Sequence, residues 1–190
     1  PTGGLGGSSS AAAATLKGLN ELWGSGLKTD ELAQIASRIG ADCAFFLYGG
    51  TALGEGRGER ITPLPSIGRS WVVLLRPPID IPEKTKTLYR SLTPSHFTSG
   101  EATRRLAEHI RRGEEVASLM LYNVFDRVAF DVFPGLGDYE RCFLEAGASG
   151  IHLAGCGPSL FTLVGEREEG RRILSHLRSE GLEAYLSETI

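Results

Sequence analysis

Cysteine is scarce in this chain of 190 residues: Cys43, Cys142 and Cys156 stand far apart and none belongs to a CxxC pair. Neither a zinc cage nor a disulfide framework is indicated, and a reduced, cytoplasmic setting is the default. An excess of one charge is also lacking, since 20 Lys and Arg meet 23 Asp and Glu for a net of −3. That balance offers no electrostatic footprint for nucleic acid or an anionic membrane. No apolar run reaches membrane-spanning length, and no signal peptide opens the chain. No Gly-Lys pair occurs, which excludes the Walker loop G-x-x-x-x-G-K-[ST]. His96, His109, His152 and His176 fall on different expected elements with no metal spacing. What remains is ordinary globular composition, 41% hydrophobic and 23% charged, in a chain long enough for one large or two small domains.

The richest stretch is the first. Pro1, Thr2, Gly3, Gly4, Leu5, Gly6, Gly7, Ser8, Ser9 and Ser10 run into four alanines. Glycine lets backbone N–H groups approach an anion, serine caps helices, and alanine propagates them. The stretch reads as a glycine loop feeding a helix N-terminus, a ready site for phosphate. A flexible Gly/Ser linker is the bland alternative. Against it, Leu16, Leu19, Leu22 and Trp23 continue at helical spacing. The dinucleotide motif G-x-G-x-x-G fails on context, because no strand precedes these glycines.

Further along, the first helix is expected from about Ser9 to Trp23, ended by Gly24 and Gly26. Thr29 or Asp30 caps a second, with Leu32, Ile35, Ala36 and Ile39 on one face. Asp42 follows at once, next to the apolar run Phe45 to Tyr48, where an acid is costly unless it is paired or working; a cap or turn role is the plainer reading. Glycines 49, 50, 54, 56 and 58 mark turns between short strands. The stretch 65–69 reads as a boundary. A strand at 70–75, a short helix at 84–91 and an amphipathic helix at 101–112 come next, the last with Ala102, Leu106 and Ile110 inward. Another helix is expected at 115–130, striped by Leu119, Tyr122, Phe125 and Val128, with Asn123 and Asp126 as ordinary polar positions beside the stripe. A helix at 138–146, a strand–glycine turn–strand at 150–164, a helix at 166–179 and a strand at 182–186 complete the order. That order suits an α+β sandwich, helices on one face of an antiparallel sheet.

The run Gly4 to Ser10, GLGGSSS before an alanine-rich helix, resembles the nucleotide loop of the GHMP kinases. Within that superfamily, Gly40-Ala41-Asp42, Phe45-Phe46, Gly49-Gly50-Thr51-Ala52 and Glu55-Gly56-Arg57-Gly58-Glu59 are similar to the kinases of 4-diphosphocytidyl-2-C-methyl-D-erythritol. The segment Leu153 to Phe161, with Gly155, Gly157 and Pro158, is similar to one that lies against the nucleotide loop in that family.

The resemblance implies a GHMP kinase fold: residues 1–67 as the remainder of an N-terminal ATP-loop domain, and 68–190 as a C-terminal α/β sandwich with an antiparallel sheet. It implies ATP held by residues 1–10, Mg2+ reached through Ser9 or Ser10, and Asp42 as catalytic base. The acceptor it implies is the 2-hydroxyl of the cytidine-diphosphate methylerythritol, with Tyr89 stacking on the cytidine end and an ordinary surface tyrosine as the alternative. A cytoplasmic protein, monomeric or a weak homodimer, is expected. An N-terminal segment carrying a catalytic lysine is expected upstream of Pro1. Departures from the family pattern are Ala44 for proline, Cys156 for the commoner serine, Ala11 for the usual aspartate, and Asn123-Val124-Phe125-Asp126 where the family has Asn-Asp-Leu-Glu. They leave two alternatives open, another GHMP small-molecule kinase or an inactive nucleotide-binding homologue.

Overall fold

A computed structural model describes residues 4–189. These divide into a helical unit, Gly6–Ser66 with Ile110–Gly113, and a sheet unit made of Gly4, Leu5, Ile67–His109 and the residues from Glu114 onward.

In the helical unit, α1 (Gly7–Leu22) and α2 (Thr29–Ile39) pack on each other and on a 3-10 turn, Ala41–Cys43, that runs into the single-turn helix α3 (Phe45–Tyr48). Their shared core is mostly small: Ala13, Ala33, Ala36 and Ala44 with Leu32, Cys43 and Leu47. The stripe differs in part from the one expected, which held Leu32 and Ala36 correctly. Leu22 and Trp23 are exposed, as are Ile35 and Ile39, whereas Leu32, Ala33 and Ala36 are buried. Alanine lets helix backbones approach closely, so Ala13, Ala33 and Ala36 line the contact together with Leu32, and Leu22, Trp23, Ile35 and Ile39 are turned out. The start of α2 also differs in detail. Lys28 is the N-cap, and its N–H donates to the Glu31 carboxylate at 2.8 Å. Asp30 instead accepts the Tyr48 hydroxyl at 2.6 Å, which ties α2 to α3 and raises the Tyr48 pKa. A hairpin, β1 (Ala52–Glu55) against β2 (Arg60–Pro63), completes the unit. Its turn is stapled by Glu59, whose carboxylate accepts the Arg57 N–H at 2.7 Å.

The sheet unit is built on four antiparallel strands in the order β4-β5-β3-β6: β3 (Trp71–Leu75), β4 (His152–Leu153), β5 (Leu160–Val164) and β6 (Ala184–Glu188). Val73 pairs with Thr162 on one side and Leu186 on the other. Alternate residues of β5 (Leu160, Thr162 and Val164) are buried, the two-residue period of a sheet with one covered face. Helix α8 (Arg167–Ser179) covers β3 and β6 with Ile173 and Leu177. The same core takes Phe133, Leu136 and Phe143 from α7 (Leu136–Glu145) and the chain before it, and Leu88 from α4 (Lys84–Ser91). Helix α5 (Glu101–Arg111) belongs to this unit as far as His109. The antiparallel sheet and its helices agree with the expected fold class.

The helix expected at 115–130 does not form. The segment is two 3-10 turns, Ser118–Met120 and Val124–Arg127, followed by the single-turn α6 (Ala129–Val132). Leu119 and Tyr122, read as an apolar stripe, are exposed. The cause is local polar competition with the helical ladder. The Ser118 hydroxyl donates to the Gly150 carbonyl and accepts the Leu163 N–H, so it holds the chain against β5. Asn123 accepts the Phe125 N–H with its own side chain at 3.0 Å and opens a new turn there.

Candidate functional site

In the helical unit, the glycine run ends on Gly6, the N-cap of α1, in left-handed backbone (φ 67°, ψ 18°). A Cβ on Gly6 would stand 2.6 Å from Cζ of Phe46, so a side chain there would be strained by the positive φ and would have to displace the ring. A Cβ on Gly7 would meet nothing within 4 Å. The Ser10 N–H donates to the Gly6 carbonyl at 2.8 Å, the first bond of the helical ladder. The N–H groups of Gly7, Ser8 and Ser9 precede it and have no place in that ladder. No side chain caps them and no acid lies in the first turn. Among the described residues this helix end therefore presents donors without a partner, the positive end of the helix dipole and open space beside Gly7, a set that suits a phosphate. The Ser10 hydroxyl donates to the Gly7 carbonyl at 2.9 Å, and the hydroxyls of Ser8 and Ser9 make no hydrogen bond among the described residues. Pro1, Thr2 and Gly3, also expected in the loop, lie outside the described residues.

Asp42 sits in the 3-10 turn after α2, exposed and without a hydrogen bond or ion pair among the described residues. That turn packs on α1, and Phe46, which backs Gly6, lies four residues further along the chain. On its other side Gly58 of the hairpin turn leaves room: a Cβ there would stand 3.7 Å from Oδ1 of Asp42. A carboxylate with no partner among the described residues can accept a proton or a hydrogen bond from an alcohol.

In the sheet unit, the strand–turn–strand at 150–164 forms as expected, β4 joined to β5 through a turn closed by Gly157 N–H to Ala154 carbonyl at 2.9 Å. Gly4 lies against it. A Cβ on Gly4 would fall 1.8 Å from the Ala154 oxygen, and one on Gly155 would fall 3.1 Å from the Gly4 oxygen. The two backbones touch without side chains between them. Lys84, the first residue of α4, donates its ammonium to the Gly157 carbonyl, and burial there holds its pKa below the usual lysine value.

Sequence reasoning passed over the polar cluster under this turn. Asn123 Nδ2 donates to the carbonyls of Leu153 (3.1 Å) and Gly155 (2.8 Å). Asp126 accepts the Leu153 N–H at 3.0 Å with one oxygen and His152 Nδ1 at 2.8 Å with the other. His152 Nε2 donates to the Ser118 carbonyl at 2.9 Å. Both ring nitrogens face acceptors, so the ring makes both bonds only as the imidazolium. The Asp126 hydrogen bond accordingly raises the His152 pKa. An Asn and an Asp three residues apart were the visible signal, and nothing in the spacing pointed to a histidine 26 residues away.

Tyr89 is exposed on α4, its ring edge-on to Phe125 at 5.1 Å. Among the described residues, no group of three or more His, Cys, Asp or Glu could hold a metal ion, and no helix is long and apolar enough to cross a membrane.

Two family models match this chain in tandem. "GHMP kinases N terminal domain" covers residues 1–50 and "GHMP kinases C terminal" residues 101–183. The chain belongs to the GHMP kinases. Among curated proteins it is 50% identical over 188 residues to a 4-diphosphocytidyl-2-C-methyl-D-erythritol kinase of Dehalococcoides mccartyi, a match spanning 98% of this chain and 66% of the relative. A crystal structure of 4-(cytidine 5'-diphospho)-2C-methyl-D-erythritol kinase matches with a TM-score of 0.78 and 31% identity, over 99% of this chain and 67% of that one. Homoserine kinase from Cytophaga hutchinsonii matches with a TM-score of 0.75 at 20% identity, over 100% and 67%, a likeness of fold. The chain thus spans about 66% of the length of the curated relative.

Proposed function

We propose that this protein transfers the γ-phosphoryl group of ATP to the 2-hydroxyl of 4-diphosphocytidyl-2-C-methyl-D-erythritol. The observation that carries the reading is the 50% identity, over nearly the whole chain, to a kinase named for that substrate. The geometry supports it. Phosphoryl transfer asks a protein chiefly for positioning and charge stabilisation. The free N–H groups of Gly7, Ser8 and Ser9 offer donors for phosphate oxygens, and the space over Gly7 admits them. Asp42, unpaired on its turn, serves as the base or orienting anion for the acceptor hydroxyl. Mg2+, when bound, would neutralise phosphate charge. The residues that fit it are the Ser9 and Ser10 hydroxyls, because Ala11 and the rest of the first turn of α1 supply no carboxylate. Tyr89 is free to stack on the cytidine end.

The test uses the full gene product with Mg-ATP and the cytidine-diphosphate methylerythritol, followed by phosphorus NMR, with homoserine and mevalonate in parallel. A new phosphomonoester with the first acceptor alone supports the reading. A phosphomonoester with another acceptor points to a different GHMP kinase. ATP binding with no product from any acceptor points to an inactive nucleotide-binding homologue.

A further inference from the structure

Asn123 spends its whole side chain on one turn of backbone. Its amide nitrogen has two protons, and both are used, on the carbonyls of Leu153 and Gly155. Its oxygen takes the Phe125 N–H. The three contacts agree on one orientation of the amide, since a flipped side chain would set an oxygen against two carbonyls and an NH2 against an N–H. The turn it holds carries Ala154, whose carbonyl occupies the place of a side chain on Gly4, and Gly155, which touches the Gly4 carbonyl. Contact between two bare backbones has no side chain to take up slack, so a shift of the turn is passed to Gly4 directly.

We propose that Asn123 is a positioning residue for nucleotide binding, acting through the glycine turn at 153–157 on Gly4 and so on the upstream arm of the glycine loop. The inference rests on the kinase reading above. Asp126 reinforces it by holding the N–H of Leu153, the residue whose carbonyl takes the first of the Asn123 contacts. The neighbouring Lys84 contact at Gly157 fixes the far end of the same turn.

The test is Asn123→Asp in the full gene product. The substitution preserves shape and the acceptor for Phe125, removes both donors and turns a carboxylate oxygen toward two carbonyls. The expected result is a Kd and KM for Mg-ATP raised about tenfold or more, with the KM for the methylerythritol acceptor changed less than about twofold. Amide hydrogen exchange at Leu5 and Gly155 should quicken in the same sample without nucleotide. Asn123→Ser, which keeps an acceptor and one donor, should shift the same quantities the same way by less, and serves if the aspartate variant does not fold. A fall in melting temperature and apparent kcat with the Mg-ATP constants unchanged overturns the inference, because that is the signature of a merely structural residue. Unchanged exchange at Leu5 also overturns it. If the wild-type protein binds no Mg-ATP, the kinase reading fails and takes the inference with it. Equal binding by wild type and variant fails the inference alone.

Discussion

The helical unit is packed with alanine, and the sheet unit chiefly with leucine, phenylalanine and valine. The first gains close backbone approach and leaves Leu22, Trp23, Ile35 and Ile39 in the open. The second buries large side chains on one face of a sheet and keeps a satisfied polar cluster, Asn123, Asp126 and His152, against it. Glycine works differently in the two as well. Gly4 and Gly6 are required by what touches them, whereas Gly7 is surrounded by space. A glycine crowded by packing and a glycine beside open space look alike in sequence and predict opposite responses to substitution.

The comparison can be broken at several points. The largest effect is expected at Asp42. Asp42→Asn should lower turnover about 10²- to 10⁴-fold while Mg-ATP still binds, read by phosphorus NMR and by calorimetry; ordinary turnover would remove it from the mechanism. Next come the two glycines. Gly4→Ala, at φ 73° with a carbonyl 1.8 Å from the new Cβ, should cost about 3 kcal/mol or more in urea unfolding. Gly7→Ala should leave stability equal or improved by up to about 1 kcal/mol, yet weaken Mg-ATP binding. Equal loss of stability at both would erase the distinction between them.

Core substitutions set the units against each other. Phe143→Ala in the sheet unit should cost about 3–5 kcal/mol, by transfer and cavity terms together. Ala36→Leu in the helical unit should cost about 1–3 kcal/mol by overpacking, since Ala36 is fully buried between close helices. Denaturation curves for the two variants check both signs. The smallest effect concerns pH. The folded His152 pKa lies above its usual 6.5, so its contribution is fully present below that value and is lost as pH rises through the raised one. Stability should therefore decline across that window, and Asp126→Asn should flatten the decline; a slope unchanged in the variant would detach His152 from it.

Much of the framework could be read from sequence. Helix α4 at 84–91, the β4–turn–β5 unit and the α+β class all follow from period, caps and glycine punctuation. The failures are instructive. The stretch 115–130 has a helical apolar period, but Ser118 and Asn123 bind backbone from distant strands and break the ladder. In α1 and α2 the period was right and the face only partly so: Leu32 and Ala36 are buried and Leu16 packs on the core, but Leu22, Trp23, Ile35 and Ile39 are exposed, because hydrophobicity ranks leucine and isoleucine above alanine while the close helix contact favours alanine. The loop and Asp42 were visible as residue types in order. The partners that crowd Gly4 and Gly6, Ala154 and Phe46, were not.

By itself the sequence determined the local chemistry: a glycine run entering an alanine-rich helix, an acid on a turn, a glycine hairpin, and a nearly even balance of charge. Those follow from backbone preference and side-chain type, which act within a few residues. Only the tertiary structure decided which glycine is packed and which is open, and that Asn123, Asp126 and His152 converge under one turn. These depend on contacts across tens of residues, where close packing and hydrogen-bond satisfaction choose among partners that local sequence leaves equivalent.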